Sequence, residues 1–160
     1  MTMFSDDNER FAYFMQKALE QAALAKSIGE VPVGAVVTRN DVIIATAFNR
    51  RETVRSAASH AELEAIHKAC TVLNGWRLWE CELYVTLEPC PMCAGAIINS
   101  RIRRVVFGAY DKKAGSCGSV INLFDLPYNH KPEIVGGVME RECGEMLSSF
   151  FKDLRKKKNS

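Results

Sequence analysis

Three side chains in this sequence have the types and spacing of ligands for one metal ion. They are His60, in the run His-Ala-Glu, and Cys90 and Cys93, in the run Pro-Cys-Pro-Met-Cys. Structural zinc sites usually have four protein ligands, whereas catalytic sites typically have three and keep a position for water. Glu62 follows His60 by two residues and is close enough to move protons at such a site. The pattern predicts a catalytic zinc ion that activates water for attack on a carbon atom.

Two other functions are consistent with a Cys-x-x-Cys pair, namely a redox-active dithiol and part of a structural zinc site. A structural site needs a fourth ligand, and the sequence has no second Cys-x-x-Cys or His-x-x-His motif. His67 lies seven residues after His60, two helical turns away, and His130 is the only other histidine. The catalytic interpretation is therefore favoured over both alternatives.

The composition is typical of a soluble protein with one hydrophobic core. The chain has 160 residues, a hydrophobic content of 48% and a formal net charge of +2, and its length predicts a single domain over residues 1–160. Residues 1–10 are polar and acidic, unlike a signal peptide, and no apolar run approaches the ~18 residues of a membrane span. We expect a cytoplasmic protein with no membrane partner. Cytosolic thiols stay reduced, so we expect buried apolar roles for the remaining cysteines, Cys70, Cys81, Cys117 and Cys143.

Hydrophobic periodicity predicts an opening helix, a hairpin and then alternating helices and strands. The first helix is predicted from Asp6 to Ser27, with Asp6 as its cap and Gly29 at its end. This order predicts an α/β fold, namely a three-layer α/β/α domain with a central mixed five-stranded sheet. The other predicted elements are strands at 34–38 and 42–47, a helix from His60 to about 69–73, a strand at 82–87, a helix from about Cys90 to Ser100, strands at 104–108 and 133–138, and a last helix that includes 143–154.

The two middle helices should bring the metal ligands together. Cys90 and Cys93 are three residues apart, so both sulfurs face one side of a first helical turn, where the partial positive charge favours thiolates. Glu62 is harder to place, because positions two apart on a regular helix point about 200° apart. It reaches the same ion as His60 only if the first turn of that helix is irregular.

The metal motifs resemble those of the zinc-dependent nucleobase deaminases, whose known signature is His-x-Glu followed by Pro-Cys-x-x-Cys. Over almost the whole chain the sequence is similar to the bacterial tRNA-specific adenosine deaminases, and its most specific segments are 29–35, 84–96 and Phe150-Phe151. The resemblance implies a cytidine-deaminase-like fold. It also implies one Zn²⁺ per chain, with Glu62 as the catalytic proton shuttle and with the three predicted ligands, His60, Cys90 and Cys93.

The resemblance further implies a reaction and its contacts with the substrate. The reaction is hydrolytic deamination of the wobble adenosine to inosine in the anticodon stem-loop of a tRNA, such as an arginine tRNA. Without the resemblance, three of the implied contacts would be predicted as core residues and two as turn residues. The implied substrate-binding residues are Asn49 at the nucleoside, Val33 and Leu87 against the base with Ala109 nearby, Asp111 at a neighbouring sugar, and Phe151 on the RNA.

The C-terminal helix favours RNA as the partner. Only one of the two consecutive aromatic residues, Phe150 and Phe151, can face the core, so the other is free to stack on a base. The resemblance also implies a homodimer in which each active site borders the partner chain. Basic residues that would extend a phosphate-binding track are Arg50, Arg51, Arg55, Lys112, Lys113, Lys152, Arg155, Lys156, Lys157 and Lys158.

Two alternative functions remain open at this point. A deaminase of free guanine or cytosine shares both zinc motifs, so the motifs do not distinguish it, whereas the basic aromatic C-terminal helix favours tRNA. A zinc-dependent RNA-binding module without catalysis has no use for a proton shuttle, so Glu62 argues against it.

Overall fold

A mixed five-stranded sheet lies between two layers of helices in the computed structural model, which describes residues 3–159. The predicted fold class is therefore confirmed. In chain order the elements are α1 (Asp7–Ser27), β1 (Gly34–Arg39), β2 (Val42–Phe48), α2 (Ala61–Leu73), β3 (Cys81–Leu87), α3 (Pro91–Asn99), β4 (Arg104–Ala109), a 3₁₀ turn (Leu123–Asp125), β5 (Glu133–Val135) and α4 (Glu140–Lys158).

The sheet has the strand order β2-β1-β3-β4-β5. Strand β1 is antiparallel to both β2 and β3, whereas β3, β4 and β5 are parallel. Asn40 and Asp41 both have positive φ angles, 50° and 62°, which matches the twisted two-residue turns that close β-hairpins. Because β3 and β4 are parallel, their carboxyl ends meet at one edge, where open α/β sheets commonly bind ligands.

Successive side chains of the central strands point to opposite faces of the sheet, so the core has two layers. Ala35 and Val37 of β1 pack with residues of α2 and α3, whereas Val36 between them packs with α1. Strand β3 alternates in the same way, with Leu83 on the first side and Tyr84 on the second. This period of two is what pleated strands buried on both faces require.

The helix ends agree with the predicted positions to within one residue. Asp6 caps α1, and its carboxylate accepts a hydrogen bond of 2.8 Å from the amide of Glu9. His60 and Cys90 are the N-cap residues of α2 and α3 rather than their first helical residues. Pro91 explains the second case, because proline favours the first helical position and forces the preceding residue out of the helical region.

The C-terminal elements differ more from the prediction. Strand β5 ends at Val135 instead of residue 138. Gly136 and Gly137 follow Val135, and Gly137 has a φ of 84°, which is outside the range of an extended strand. Helix α4 packs on β4 only through its first half, and residues 151–159 are exposed. Leu154, in the predicted last helix, is therefore on the surface. The exposed half of α4 is available for contacts outside the sheet.

The packing of β1 on α1 gives a test of the fold. An added methyl group at Gly34 would collide with the carbonyl oxygen of Ala18 and the amide nitrogen of Ala22. We expect Gly34→Ala to lower the free energy of unfolding by about 1–3 kcal/mol, as overpacking does. The matched control is Gly144→Ala in α4, where the methyl group meets nothing within 4 Å and should add about 0.5–1 kcal/mol. Urea titration of both variants measures the difference, and equal stabilities would contradict this packing.

Candidate active site

His60, Cys90 and Cys93 form a cluster at the carboxyl edge of β3, where the N-termini of α2 and α3 meet. The Nδ1 atom of His60 is 3.6 Å from each of the two sulfur atoms, and the candidate ligand atoms of the cluster lie within 4.8 Å of one another. Tetrahedral zinc, with Zn–N near 2.0–2.1 Å and Zn–S near 2.3 Å, places nitrogen and sulfur roughly 3.5–3.6 Å apart. The three side chains therefore have the spacing of a tetrahedral metal site.

No fourth protein ligand joins this cluster among residues 3–159. His67 is exposed on α2, and the ring of His130 instead bonds the carbonyl oxygen of Ile102 at 2.7 Å. A site with three protein ligands keeps one position for water or substrate, as catalytic sites do. Residues 3–159 therefore offer no support for a structural zinc site with four protein ligands.

Hydrogen bonds join the Cys90 thiol to Cys93 and to His60. A hydrogen bond from Cys93, together with one from His60, lowers the pKa of Cys90 to about 4 although burial opposes the change. The bond with Cys90 and burial raise the pKa of Cys93, and the bond with Cys90 raises the pKa of His60. The site therefore holds a thiolate at neutral pH, and metal binding must displace the remaining protons.

Glu62 is brought to the cluster by the irregular start of α2. His60 has extended backbone angles, φ −75° and ψ 150°, so the angular separation of a regular helix does not apply to the pair. The Glu62 side chain is buried, with 4% of its surface exposed, and contacts the thiol of Cys93. Burial is the largest cause that raises the pKa of Glu62. A carboxyl group whose pKa is shifted toward neutrality suits general acid–base catalysis.

A pocket of about 330 Å³ opens over this cluster. Leu87 and Val33 form apolar parts of its wall. Other residues that line it are Val31, Glu52, Ala61 and Ala114. Most of the residues predicted for the site line this pocket, namely Val33, Asn49, His60, Glu62, Leu87, Cys90, Asp111 and Phe151. The two that do not are Ala109 and the buried candidate ligand Cys93.

Ala109 lies outside the pocket, which differs from the implied contact near the base. It is the last residue of β4, and its side chain packs with the core layer of α1 and α4. Only its backbone is directed toward the site, because its carbonyl oxygen accepts the amide of Glu88 at 2.8 Å.

Asn49 and Asp111 both line the pocket, and both also form the local hydrogen bonds of turn residues. The amide group of Asn49 donates to the carbonyl oxygen of Val31 at 3.2 Å, and its oxygen accepts the amide of Arg51 at 3.2 Å. One oxygen of Asp111 accepts the amides of Lys113 and Ala114, at 3.0 and 3.2 Å. These bonds fix both side chains and leave other polar atoms for a ligand.

Two buried carboxylates at the pocket were not predicted. Glu30 accepts hydrogen bonds from Thr53 and from the amide of Glu52, which together lower its pKa although burial, the largest single effect, raises it. Glu88 follows β3 directly and accepts bonds from a different loop. The sequence did contain a signal for these residues, namely an acidic residue inside an apolar run. Such a residue indicates a buried carboxylate with hydrogen-bond partners, because acidic side chains are rarely buried without them.

The two consecutive aromatic residues of α4 differ in exposure, as predicted. Phe151 is 41% exposed and lines the pocket. Phe150 is half-buried and faces a groove beside Lys26 and Gly29, at the end of α1. Among residues 3–159, moreover, no helix combines the length and apolar character required to cross a bilayer.

Comparison with known proteins agrees with this geometry. The family model of MafB19-like deaminases matches residues 8–155. The tRNA-specific adenosine deaminase of Bacillus subtilis is 52% identical over 148 residues, which cover 92% of each chain. A guanine deaminase structure from Bacillus subtilis has a TM-score of 0.61 and 34% identity, and covers 74% of this chain and 79% of that one.

A second solved structure is more similar to this chain. It comes from a study of A-to-I editing by tRNA:A34 deaminases at the wobble position of transfer RNA, and it has a TM-score of 0.82 and 42% identity. The match covers 84% of this chain and 99% of that one. With its metal-ligand cluster, buried Glu62 and long sequence matches, the chain belongs to the tRNA-specific adenosine deaminase family.

Proposed function

We propose that this protein hydrolyses the wobble adenosine of a tRNA to inosine and ammonia, with an arginine tRNA as a substrate. The observation that best supports the proposal is the buried Glu62 beside the three-ligand cluster, in a pocket whose rim includes Phe151. Relatives named tRNA-specific adenosine deaminase, and a structure from a study of A34 editing, support the choice of substrate. A tRNA substrate also supports the predicted cytoplasmic location.

The proposed metal is zinc, one ion per chain, held by His60, Cys90 and Cys93. Two thiolates and a neutral imidazole are a common zinc donor set, and the nitrogen–sulfur distances of 3.6 Å suit its tetrahedral geometry. When bound, zinc would lower the pKa of a coordinated water and act as a Lewis acid. The protein residues then position the base and move the protons.

Glu62 is the proposed proton carrier in each chemical step. As a carboxylate it takes a proton from the attacking water, whose oxygen bonds to C6 of adenine, and it passes that proton to N1. It next takes the hydroxyl proton from the tetrahedral carbon and gives it to the amino group, so that C6 becomes a carbonyl and ammonia leaves. Burial raises the pKa of Glu62, which makes its carboxylate a stronger base for these proton transfers.

The pocket residues are proposed to position the base and its neighbours. Val33 and Leu87 would pack on the adenine ring, and the fixed amide of Asn49 would hydrogen-bond the nucleoside. Asp111 has an oxygen free of the turn bonds and would contact the sugar of a neighbouring nucleotide. Ala109 would lie near the base through its backbone, whose carbonyl oxygen accepts the amide of Glu88, while its side chain packs in the other core layer.

The exposed half of α4 is the proposed contact for the anticodon stem-loop. Phe151 would stack on an unpaired base, which is how proteins commonly bind single-stranded RNA. Arg51 lines the pocket, and Arg50 and Arg55 belong to the same exposed loop, which would place phosphates beside the target nucleotide. A homodimer is proposed from the family resemblance, and light scattering of the purified protein tests it.

Deamination of a free base is the second candidate, since a guanine deaminase structure shares 34% identity with this chain. Phe151 is exposed and lines this pocket, which favours a substrate that extends beyond one base, because exposed aromatic side chains stack on unpaired RNA bases. The direct test is incubation with an arginine tRNA that has adenosine at the wobble position, followed by nucleoside analysis for inosine. Guanine, cytosine and adenosine are the controls, and turnover of a free base alone would favour the second candidate.

The metal assignment predicts that removal of either cysteine ligand abolishes both metal binding and activity. Wild-type protein should contain about one zinc per chain, and Cys90→Ala or Cys93→Ala should contain almost none. Cys143→Ala is the matched control, because Cys143 is a buried thiol of α4 outside the cluster. Elemental analysis measures the content, and full occupancy in either ligand variant would refute the assignment.

The role of Glu62 predicts a loss of turnover without a loss of metal. We expect Glu62→Ala to retain zinc and tRNA affinity and to deaminate at least about 10²–10⁴-fold more slowly, the usual contribution of general acid–base catalysis. Glu64→Ala, on the same helical turn but outside the pocket, should remain within a few-fold of wild type. Single-turnover rates compare the variants, and near-normal turnover by Glu62→Ala excludes the proposed role.

The stacking role predicts a difference between two similarly exposed residues of α4. Phe151→Ala should weaken tRNA binding by roughly five- to a hundredfold, because one stacked base contributes about 1–3 kcal/mol. Leu154→Ala is the control, since Leu154 is 39% exposed but lines a different groove.

Fluorescence anisotropy measures both affinities. A Lys156/Lys157/Lys158→Ala triple variant should mainly flatten the salt dependence of binding and lower affinity less than Phe151→Ala, because exposed charges are screened. Equal affinities of Phe151→Ala and wild type would leave α4 with a structural role only.

A further inference from the structure

The carboxylate of Glu88 has an unusual set of partners for a buried charge. Glu88 is 2% exposed, and no ion pair in the part of the chain that the structure describes includes it. Each of its oxygens instead accepts two hydrogen bonds. The donors are the Asp111 amide at 3.0 Å and the Ser119 hydroxyl at 2.5 Å for Oε1, and the Cys117 amide at 3.1 Å and the Ser119 amide at 3.0 Å for Oε2.

All four donors come from one loop, residues 111–119, which wraps around this carboxylate. Gly115 has no side chain, and a Cβ atom there would lie 2.5 Å from Oε1 of Glu88. The amide of Ser116 also donates to the carbonyl oxygen of Pro89 at 2.8 Å. The 111–119 loop is therefore bound to the two residues that directly precede Cys90.

The same loop supplies part of the pocket. Asp111 and Ala114 line it opposite Val33 and Asn49. A charged acceptor with backbone amides gives hydrogen bonds about twice as strong as those between neutral groups. Loss of this acceptor would leave several loop amides without partners and release the wall of the pocket.

Glu82, on the same strand, shows that this arrangement is not a general property of buried acids in this protein. Glu82 is also 2% exposed, but it pairs with Arg10, Arg103 and Arg104 at the opposite end of β3. Arg10 belongs to α1, Arg103 and Arg104 lie just before and at the start of β4, and none of the three lines the pocket. Glu88, in contrast, bonds a single loop at the pocket edge.

We propose that Glu88 is a positioning residue that holds the 111–119 loop in place and thereby sets the affinity for the nucleotide next to the target base. None of its four hydrogen bonds goes to His60, Cys90 or Cys93, and it acts through Asp111 and Ala114. The inference about the nucleotide rests on the proposed function. The inference about the loop does not, since it concerns the protein without substrate.

The test substitutes Glu88→Gln, which preserves shape but turns one acceptor oxygen into a donor that faces N–H groups. We expect the amides of Asp111, Cys117 and Ser119 to exchange hydrogen faster, and zinc content to stay at the wild-type level. The KM for tRNA should rise by about tenfold or more, the effect of losing one or two charge-assisted bonds. The kcat at saturating tRNA should change by less than about threefold, because the loop does not move protons.

Two further variants separate the loop from the carboxylate. Gly115→Ala displaces the loop while Glu88 is intact, and it should reproduce the rise in KM. Ser119→Ala removes only the hydroxyl donor and should give a smaller rise, which keeps the test decisive if Glu88→Gln does not fold. Glu82→Gln controls for the loss of a buried charge and should lower stability without a change in KM.

Normal amide exchange together with a normal KM in folded Glu88→Gln would overturn the proposal. A fall in kcat or zinc content with unchanged KM would also overturn it, because Glu88 would then act at the metal centre. If wild-type protein deaminated no tRNA, the proposed function and the inferred nucleotide contact would both fail. The exchange rates would still decide whether Glu88 holds the loop.

Discussion

The meeting of two helix N-termini at the carboxyl edge of parallel strands is the constraint on which the site depends. His60 and Cys90 are N-cap residues with extended backbones, and the Nδ1 atom of His60 lies 3.6 Å from the sulfur of Cys90. The second cysteine follows within the first turn of α3. Partial positive charge at both helix ends favours a thiolate there and so prepares the cluster for a cation. Most of the core on that face, from α2 to β4, serves to hold these two ends at a fixed distance.

Three buried carboxylates around the pocket show how one side-chain type obtains different roles. Glu62 has few donors, so burial raises its pKa and the group can exchange protons. Glu30 is equally buried, yet hydrogen bonds from Thr53 and Glu52 lower its pKa and keep it charged. Glu88 accepts hydrogen bonds from the amides of Asp111, Cys117 and Ser119 and thereby stabilises the loop that donates them. The pocket therefore contains one carboxyl group suited to proton transfer, Glu62, and two that hold its loops in place, Glu30 and Glu88.

The sequence predicted the parts of the site that depend on local spacing. The Cys-x-x-Cys pair, the cap at Asp6 and the strands at 34–38 and 82–87 follow from local patterns, and all are present in the structure. The sequence did not predict the partners of Glu30 and Glu88, because each bond joins residues more than twenty positions apart. The side on which the Ala109 side chain lies was also not predictable, because the direction of the last residue of a strand depends on how that strand ends.

The central claim, metal-dependent deamination of a tRNA, is tested most directly by reconstitution. Metal-free protein would be loaded with increasing zinc, and inosine at the wobble position of an arginine tRNA would be measured by mass spectrometry. If the protein is a zinc-dependent tRNA deaminase, inosine formation should rise in proportion to bound zinc and stop increasing at about one ion per chain. Inosine formation by the metal-free protein, or none at full zinc loading, would contradict the claim.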